Sequence, residues 1–125
     1  RDLHSFPTRR LFRSRVISQY TDDTIHAGRY GGEEFLILFS GYTRKQAGKI
    51  LEGMLTNFRN QEYDFLPEDV IITFSAGFTY LDNKNIDVEG FIKCADEALY
   101  YSKEHGRNQI TYYNDLRLRD MQVNR

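Results

Sequence analysis

Two glutamates follow two glycines in the segment Arg29-Tyr30-Gly31-Gly32-Glu33-Glu34-Phe35. Glycine carries no side chain, so a ligand can approach the backbone of Gly31 and Gly32 closely. Glu33 and Glu34 place two carboxylates beside this bare surface, and Mg²⁺ prefers carboxylate oxygens while keeping phosphates and water as further ligands. The segment therefore indicates a site for metal-bound phosphate; a tight turn followed by two solvated glutamates is the alternative.

A second group of charged residues lies near the end of a predicted helix, within residues 95–108. Lys103 is in the last helical turn, and Arg107 follows Gly106, a residue type that commonly ends helices. Two cations at one corner could grip a polyphosphate. Taken alone, Lys103 could instead complement the helix dipole and Arg107 could be an ordinary surface residue. The glycine-glutamate segment and the two cations indicate a phosphate-binding site much more specifically together than either does alone.

The residues on either side of the glycine pair have the composition of β-strands. Residues 24–29 and 34–40 are extended candidates. A Gly-Gly pair between two such runs predicts a two-residue hairpin, because both central positions of that turn need positive φ. Residues 35–39 are apolar on both faces, which predicts a central strand with a layer packed on each side. The glutamates are thus expected at a β-hairpin turn.

A helix is predicted over residues 44–60. Thr43 and Gln46 have the spacing of a capping box. Behind them, apolar residues recur at helical spacing, namely Ala47, Ile50, Leu51, Met54, Leu55 and Phe58. In residues 70–80, apolar and small polar residues alternate, which predicts a strand with one buried side.

A second helix is expected to begin after Asp87 and to end at Gly106. Its inward stripe consists of Val88, Phe91, Ile92, Ala95, Leu99 and Ser102. Cys94 lies near this stripe and is interpreted as a small core residue. A last strand is predicted over residues 109–113. The central hairpin favours a mixed or antiparallel α+β arrangement with helices covering the sheet.

Composition describes a globular chain. It has 125 residues with 40% hydrophobic and 28% charged residues, which fits one packed domain rather than a disordered chain. The longest apolar run has five residues, far below the roughly 18 needed to span a bilayer. The single cysteine, Cys94, is compatible with a reducing cytosol and excludes an internal disulfide. We therefore expect a cytoplasmic chain without a membrane segment; a longer parent protein could be anchored to a membrane through upstream segments.

Charge is concentrated at the beginning of the chain. Residues 1–15 contain five arginines and one aspartate, although the whole chain has a net charge of −1. This stretch has neither the apolar region of a secretory signal nor a helical or strand period, and it resembles translated adapter DNA. We interpret it as a non-native or disordered leader rather than as a nucleic-acid-binding arm. Residues 114–125 are expected to form a flexible tail, either a frayed helix or the remnant of a linker.

The two charged segments, Arg29 to Phe35 and Ala95 to Asn108, resemble the GGDEF domain of diguanylate cyclases, with the signature in its GGEEF form. The similarity extends over about residues 24–113. It implies a palm-like α+β fold with an antiparallel-rich central sheet, related to polymerase palms and nucleotide cyclases. It also implies that two GTP molecules are condensed to cyclic di-GMP and pyrophosphate by two domains that face each other as a homodimer.

The resemblance implies a role for each site residue. Glu33 is expected to be the essential acid, a metal ligand and a candidate base for the attacking 3′-hydroxyl, and Glu34 a supporting ligand of Mg²⁺ or Mn²⁺. Gly31 and Gly32 would form the floor beneath the nucleotide. The phosphates would be held by Lys103 and Arg107. These roles agree with phosphoryl-transfer chemistry, which depends on positioning and on neutralising charge around phosphorus.

The front of the domain departs from the family pattern. Family members begin with a strand bearing a metal-binding Asp and with helices that recognise guanine, and we find no counterpart between Thr21 and Arg29 or upstream. Residues 16–113 are therefore interpreted as a GGDEF domain that is incomplete at its N-terminus, with negligible cyclase activity on its own. The alternatives are a catalytically silent GTP-binding or dimerising module and a fragment without an independent role.

Overall fold

A computed structural model describes residues 17–60, 67, 69, 71–81 and 87–117. The described elements, in chain order, are β1 (Ile25–Gly31), β2 (Glu34–Phe39), α1 (Arg44–Asn60), β3 (Ala76–Phe78), α2 (Val88–Glu104) and β4 (Ile110–Tyr112). The predicted α+β class is confirmed. The chain divides into two compact units between Ala47 and Gly48.

The first unit contains the predicted hairpin. β1 pairs with β2 in antiparallel register from Ile25 opposite Phe39 to Gly31 opposite Glu34, with an irregularity between Arg29 and Gly31. Ile25 is buried. We expected β2 to be covered on both faces, but Leu36 and Leu38 are 38% and 51% exposed. The apolar pattern of β2 is therefore only partly converted into burial: β1 pairs with its edge, but the face that carries Leu36 and Leu38 stays largely exposed.

A turn at Asp22 begins the hairpin. Its Oδ1 accepts hydrogen bonds from the Thr24 hydroxyl at 2.6 Å, the Thr24 N–H at 2.7 Å and the Ile25 N–H at 2.9 Å. These bonds lower the pKa of the Asp22 carboxyl, because they stabilise its charged form. The bond from the Thr24 hydroxyl has the largest effect. An aspartate that bonds to the backbone just beyond it is a common turn device, and here it starts β1.

Helix α1 has the bounds that the sequence predicts, Arg44–Asn60. The capping box is formed in both directions: the Gln46 N–H donates to Thr43 Oγ1 at 3.1 Å, and the Thr43 N–H donates to Gln46 Oε1 at 3.0 Å. Two of the otherwise unsatisfied donors at the start of the helix are thereby paired. The predicted stripe is buried at Ala47, Leu51, Met54, Leu55 and Phe58.

The second unit joins α2 to the parallel pair β3 and β4. Gly77 on β3 allows the strand to approach the helix, since a Cβ there would collide with the Ala95 carbonyl and the Leu99 amide. Ser102 is fully buried, donates to the Ala76 carbonyl at 2.8 Å, and shares a 2.7 Å hydrogen bond with Thr111 Oγ1. One side chain therefore ties the helix to both strands.

Strand β3 is much shorter than the predicted run 70–80, of which residue 70 lies outside the described residues. Residues 71–75 are not in a strand, yet Phe74 packs edge-on against Phe58 with ring centroids 5.1 Å apart. Phe74 is thus packed against α1 without being part of a paired strand. At the other end, β4 stops at Tyr112 and residues 113–117 are helical.

Helix α2 begins and ends where the sequence indicates. Asp87 caps it by accepting from the Gly90 N–H at 2.7 Å, and Gly106 follows with a positive φ of 108°. The sequence predicts Val88 in the inward stripe, but Val88 is 73% exposed, because the first helical residue lies ahead of the turns that contact β3. The predicted leader, residues 1–15, and the end of the predicted tail, residues 118–125, lie outside the described residues.

Within the described part of the chain, the structure contains no helix that is long and apolar enough to span a membrane.

Candidate functional site

The glycine turn is displaced by one residue from its predicted position. Because β1 includes Gly31 and β2 begins at Glu34, the two residues of the turn are Gly32 and Glu33 rather than Gly31 and Gly32. Of Gly31, Gly32 and Glu33, only Gly32 has positive φ, at 43°, so Gly32 is the glycine that the turn conformation favours. The consequence for the site is that Glu33 lies on the turn itself.

The two carboxylates differ in their surroundings. Glu33 is exposed at the turn, whereas Glu34 is half-buried as the first residue of β2. A Cβ added to Gly31 or Gly32 would meet no atom within 4 Å, so the backbone beside the glutamates borders open space. The hairpin therefore brings together all four residues that the sequence singles out here, with room for a ligand next to them.

The donor set of the turn suits a hard divalent cation that is shared with a phosphate. Carboxylate oxygens are the protein ligands that Mg²⁺ prefers, and Mg²⁺ is usually held by one or two carboxylates together with substrate phosphates and water. Among the described residues there is no group of three or more His, Cys, Asp or Glu side chains placed to hold a metal ion. Glu33 and Glu34 thus offer the one or two carboxylates that Mg²⁺ usually takes from a protein when phosphate and water complete its coordination.

Lys103 and Arg107 lie at the C-terminal end of α2. Lys103 is half-buried in the last turn, and Arg107 is exposed just beyond it. The Arg107 N–H donates to the Ser102 carbonyl at 2.9 Å. This is the hydrogen bond of a Schellman motif that spans six residues at the end of a helix. The helix end therefore places both cations within one turn of backbone, as the sequence predicts.

The six predicted site residues form two groups, one in each compact unit: the four hairpin residues in the first, and Lys103 with Arg107 in the second.

The family model "Diguanylate cyclase, GGDEF domain" matches residues 12–109. The chain belongs to the GGDEF family. This match covers most of the sequence and includes both groups of site residues. The predicted palm-like fold class is confirmed by solved GGDEF domains, to which the chain is similar over most of its length.

Two of these solved structures are GGDEF domains of bacterial proteins. One is the GGDEF domain of DgcB from Caulobacter crescentus in complex with c-di-GMP, with a TM-score of 0.72 and 30% identity over 81% of this chain and 60% of that one. Another is the active GGEEF domain of a diguanylate cyclase from Vibrio cholerae, with a TM-score of 0.71 and 28% identity over 82% of this chain and 65% of that one.

A curated relative is Diguanylate cyclase A of Treponema denticola, which is 29% identical over 101 residues. The match covers 78% of this chain but 26% of that protein. The chain thus spans about a quarter of the length of this GGDEF relative.

Sequence reasoning missed Asn108, the residue after Arg107, and the two residues that bind it, Arg59 and Ser75. Asn108 has a positive φ of 50°, its side chain and carbonyl accept hydrogen bonds from Arg59, and its N–H donates to Ser75 Oγ at 3.1 Å. The asparagine itself carried a signal, since Asn tolerates the left-handed conformation better than most residues. Arg59 and Ser75 carried none, because only the tertiary structure brings them to Asn108.

Proposed function

We propose that this GGDEF domain supplies the catalytic residues for condensing two GTP molecules into cyclic di-GMP. In each of two symmetric steps, the 3′-hydroxyl oxygen of one GTP attacks the α-phosphorus of the other. A P–O bond forms, the bond to the β-phosphate oxygen breaks, and pyrophosphate leaves. Since each GTP would be held by one domain, the reaction requires a homodimer in which two nucleotides face each other. We place it in the cytoplasm, where GTP is available.

The observation that carries this proposal is the intact Gly-Gly-Glu-Glu-Phe sequence at a hairpin turn with open space beside its backbone. A silent module of this family has no need to keep both acids. The Vibrio cholerae GGEEF domain, similar in sequence and structure, is described as active. That similarity favours the interpretation that glutamate at the first acidic position is compatible with catalysis.

The proposed roles follow from the chemistry of the side chains. Glu33 and Glu34 would hold Mg²⁺ or Mn²⁺, which when bound neutralises phosphate charge and polarises the phosphorus centre. Glu33 would also accept the proton of the attacking hydroxyl, for which its exposed position on the turn is suitable. Lys103 and Arg107 would hold phosphate oxygens, Arg107 through its planar fork of donors.

The 125-residue chain on its own is proposed to have little activity. Two carboxylates are a minimal set for a metal that must also orient a triphosphate, and the sequence shows no counterpart of the family's additional metal-binding Asp. Each charged contact that is absent costs about 1.5–3 kcal/mol of binding free energy. We therefore expect the chain to bind GTP more weakly than a protein translated from the full reading frame that contains it.

The test measures product formation from GTP and Mg²⁺ by the full reading frame and by the 125-residue chain, with nucleotides separated by chromatography. Glu33→Gln in the full protein should lower turnover at least about a hundredfold, because a metal ligand and the base are lost together. Glu89→Gln, which removes an exposed carboxylate on α2, is the control and should leave turnover unchanged. Undiminished product from Glu33→Gln overturns the assignment, and GTP binding without turnover in the unmutated protein would indicate a silent module.

A further inference from the structure

Three consecutive residues after α2 have positive φ: Gly106 at 108°, Arg107 at 61° and Asn108 at 50°. Glycine adopts this conformation readily, but for arginine and asparagine the left-handed region is disfavoured by contacts of the Cβ atom. A side chain assigned to phosphate binding therefore extends from strained backbone. Such backbone persists only when the surrounding structure holds it in place.

Arg59, at the end of α1, holds the residue that follows Arg107. Its Nε donates to Asn108 Oδ1 at 2.7 Å and its Nη2 donates to the Asn108 carbonyl at 2.9 Å. One planar guanidinium thereby fixes both the side chain and the backbone of Asn108. Lysine could not reproduce this arrangement, because it has one nitrogen and no rigid fork of donors.

Further hydrogen bonds hold the backbone on both sides of Arg107. The Asn108 N–H donates to Ser75 Oγ at 3.1 Å, and Gln109 Nε2 donates to the His105 carbonyl at 2.6 Å. The Arg107 N–H itself is bonded to Ser102. The loop lies at the surface, with Arg107 and Asn108 both exposed, so these bonds restrain a side chain that a ligand can reach.

A simpler role for Arg59 would be to complement the dipole of α1, since it is the basic residue of the last turn of that helix. That role needs only a positive charge near the final carbonyls of α1. The observed bonds instead go to a residue 49 positions away. The geometry is that of a clamp on Asn108.

We propose that Arg59 and Asn108 are positioning residues that hold the left-handed loop, so that Arg107 is presented for phosphate binding. This inference rests on the phosphate-binding role proposed above for Arg107. Arg59 acts through Arg107 and needs no contact with the nucleotide.

The experiment compares Arg59→Gln, Arg59→Lys and Asn108→Gly with Lys49→Gln, a control that removes an exposed positive charge from the same helix. The first readout is amide hydrogen exchange at positions 107 and 108 by NMR, without ligand, corrected for the intrinsic exchange rate of the residue present. Exchange should become about tenfold faster in the three test variants and stay unchanged in the control. Asn108→Gly is informative because glycine permits the left-handed backbone but lacks the oxygen that Arg59 binds. Unchanged exchange in all three overturns the clamp.

The second readout is the affinity for GTP with Mg²⁺, measured by calorimetry in a double-mutant cycle of Arg59→Gln and Arg107→Gln. Each single variant should bind about tenfold more weakly, and the double variant no more weakly than Arg107→Gln, because Arg59 acts through Arg107. Additive losses overturn the inference, as does wild-type affinity in Arg59→Lys, which would show that charge alone matters. If Arg107→Gln leaves affinity unchanged while exchange still responds, the proposed phosphate role has failed and the clamp is structural only.

Discussion

The two groups of charged residues are built in different ways. The acidic hairpin is defined by residues close together in the sequence: a turn at Asp22, pairing of adjacent strands, and Gly32 at the bend. The loop at Arg107 depends on residues 49 and 33 positions away from Asn108, namely Arg59 and Ser75. The first group is therefore a product of local conformation, and the second is a product of packing.

This difference suggests a division of tasks. Glu33 lies on a short turn with open space beside its glycines, which suits groups that bind a small cation together with the phosphates it accompanies. A phosphate grip needs a guanidinium in a defined direction, because its two-bond geometry is lost with small displacements. In the role proposed for Arg107, the hydrogen bonds that Arg59 and Ser75 make to Asn108 would supply that direction. Mutations that disturb packing should therefore affect the Arg107 loop first.

The largest expected effect comes from Gly77→Ala, which would press a methyl group into the Ala95 carbonyl and the Leu99 amide of α2. The backbone cannot yield without separating β3 from the helix, so we expect a loss of about 3 kcal/mol in the free energy of unfolding. Urea unfolding followed by circular dichroism measures it. The control is Gly53→Ala in α1, where the added Cβ meets no atom within 4 Å and should stabilise by about 0.5–1 kcal/mol. Equal stability of the Gly77 variant and wild type would show that α2 and β3 are not closely packed.

An intermediate effect is expected at alkaline pH in the packed region. Burial raises the pKa of Tyr112 to about 12, with a smaller contribution from the hydrogen bond that its hydroxyl donates to Glu52. The folded state thus favours the neutral phenol, and its contribution to stability is complete below the unfolded pKa of about 10 and is lost as the pH rises through about 12. Urea titrations across this range should show a steeper decline for wild type than for Tyr112→Phe. An equal decline of stability with pH in the two proteins would mean that ionisation of Tyr112 is not coupled to unfolding.

The smallest effect is expected at acid pH in the hairpin. The pKa of Asp22 is lowered by hydrogen bonds from Thr24 and Ile25, so its contribution is present above the pKa of an unfolded aspartate and is lost as the pH falls through the lower, folded value. NMR shifts of the Thr24 and Ile25 amides should follow that protonation. Asp22→Asn should abolish the response, whereas Asp23→Asn, a change in the neighbouring exposed carboxylate, should preserve it. A midpoint above the ordinary aspartate value would contradict the turn geometry.

Most helix boundaries were predictable because they depend on local hydrogen bonds. Thr43 with Gln46, and Asp87 with Gly90, satisfy helix-end donors within three residues, so the sequence contains all the participants. Strand limits were less predictable. Residues 71–75 have the alternation of a strand, yet they lack strand pairing, because pairing requires a partner that periodicity cannot identify.

The candidate site was predictable to a similar degree. Residue type and spacing pick out both acids and both cations, and the family match spans their positions; their roles stay predictions. The exact turn was predicted one residue too early, since Gly-Gly fits a hairpin in either register and only the pairing of Gly31 with Glu34 distinguishes them. The exposure of Leu36 and Leu38 was also unexpected, because an apolar residue type does not specify what covers it.

By itself, the sequence determined the chemistry: which side chains can bind a cation and phosphates, and which helices and hairpin carry them. These features follow from residue type and from interactions spanning a few residues. Only the tertiary structure decided that Arg59 and Ser75 hold Asn108 and that Ser102 joins α2 to two strands. The physical reason is that hydrogen bonds between residues distant in sequence depend on how the whole chain packs, and a linear pattern does not record that packing.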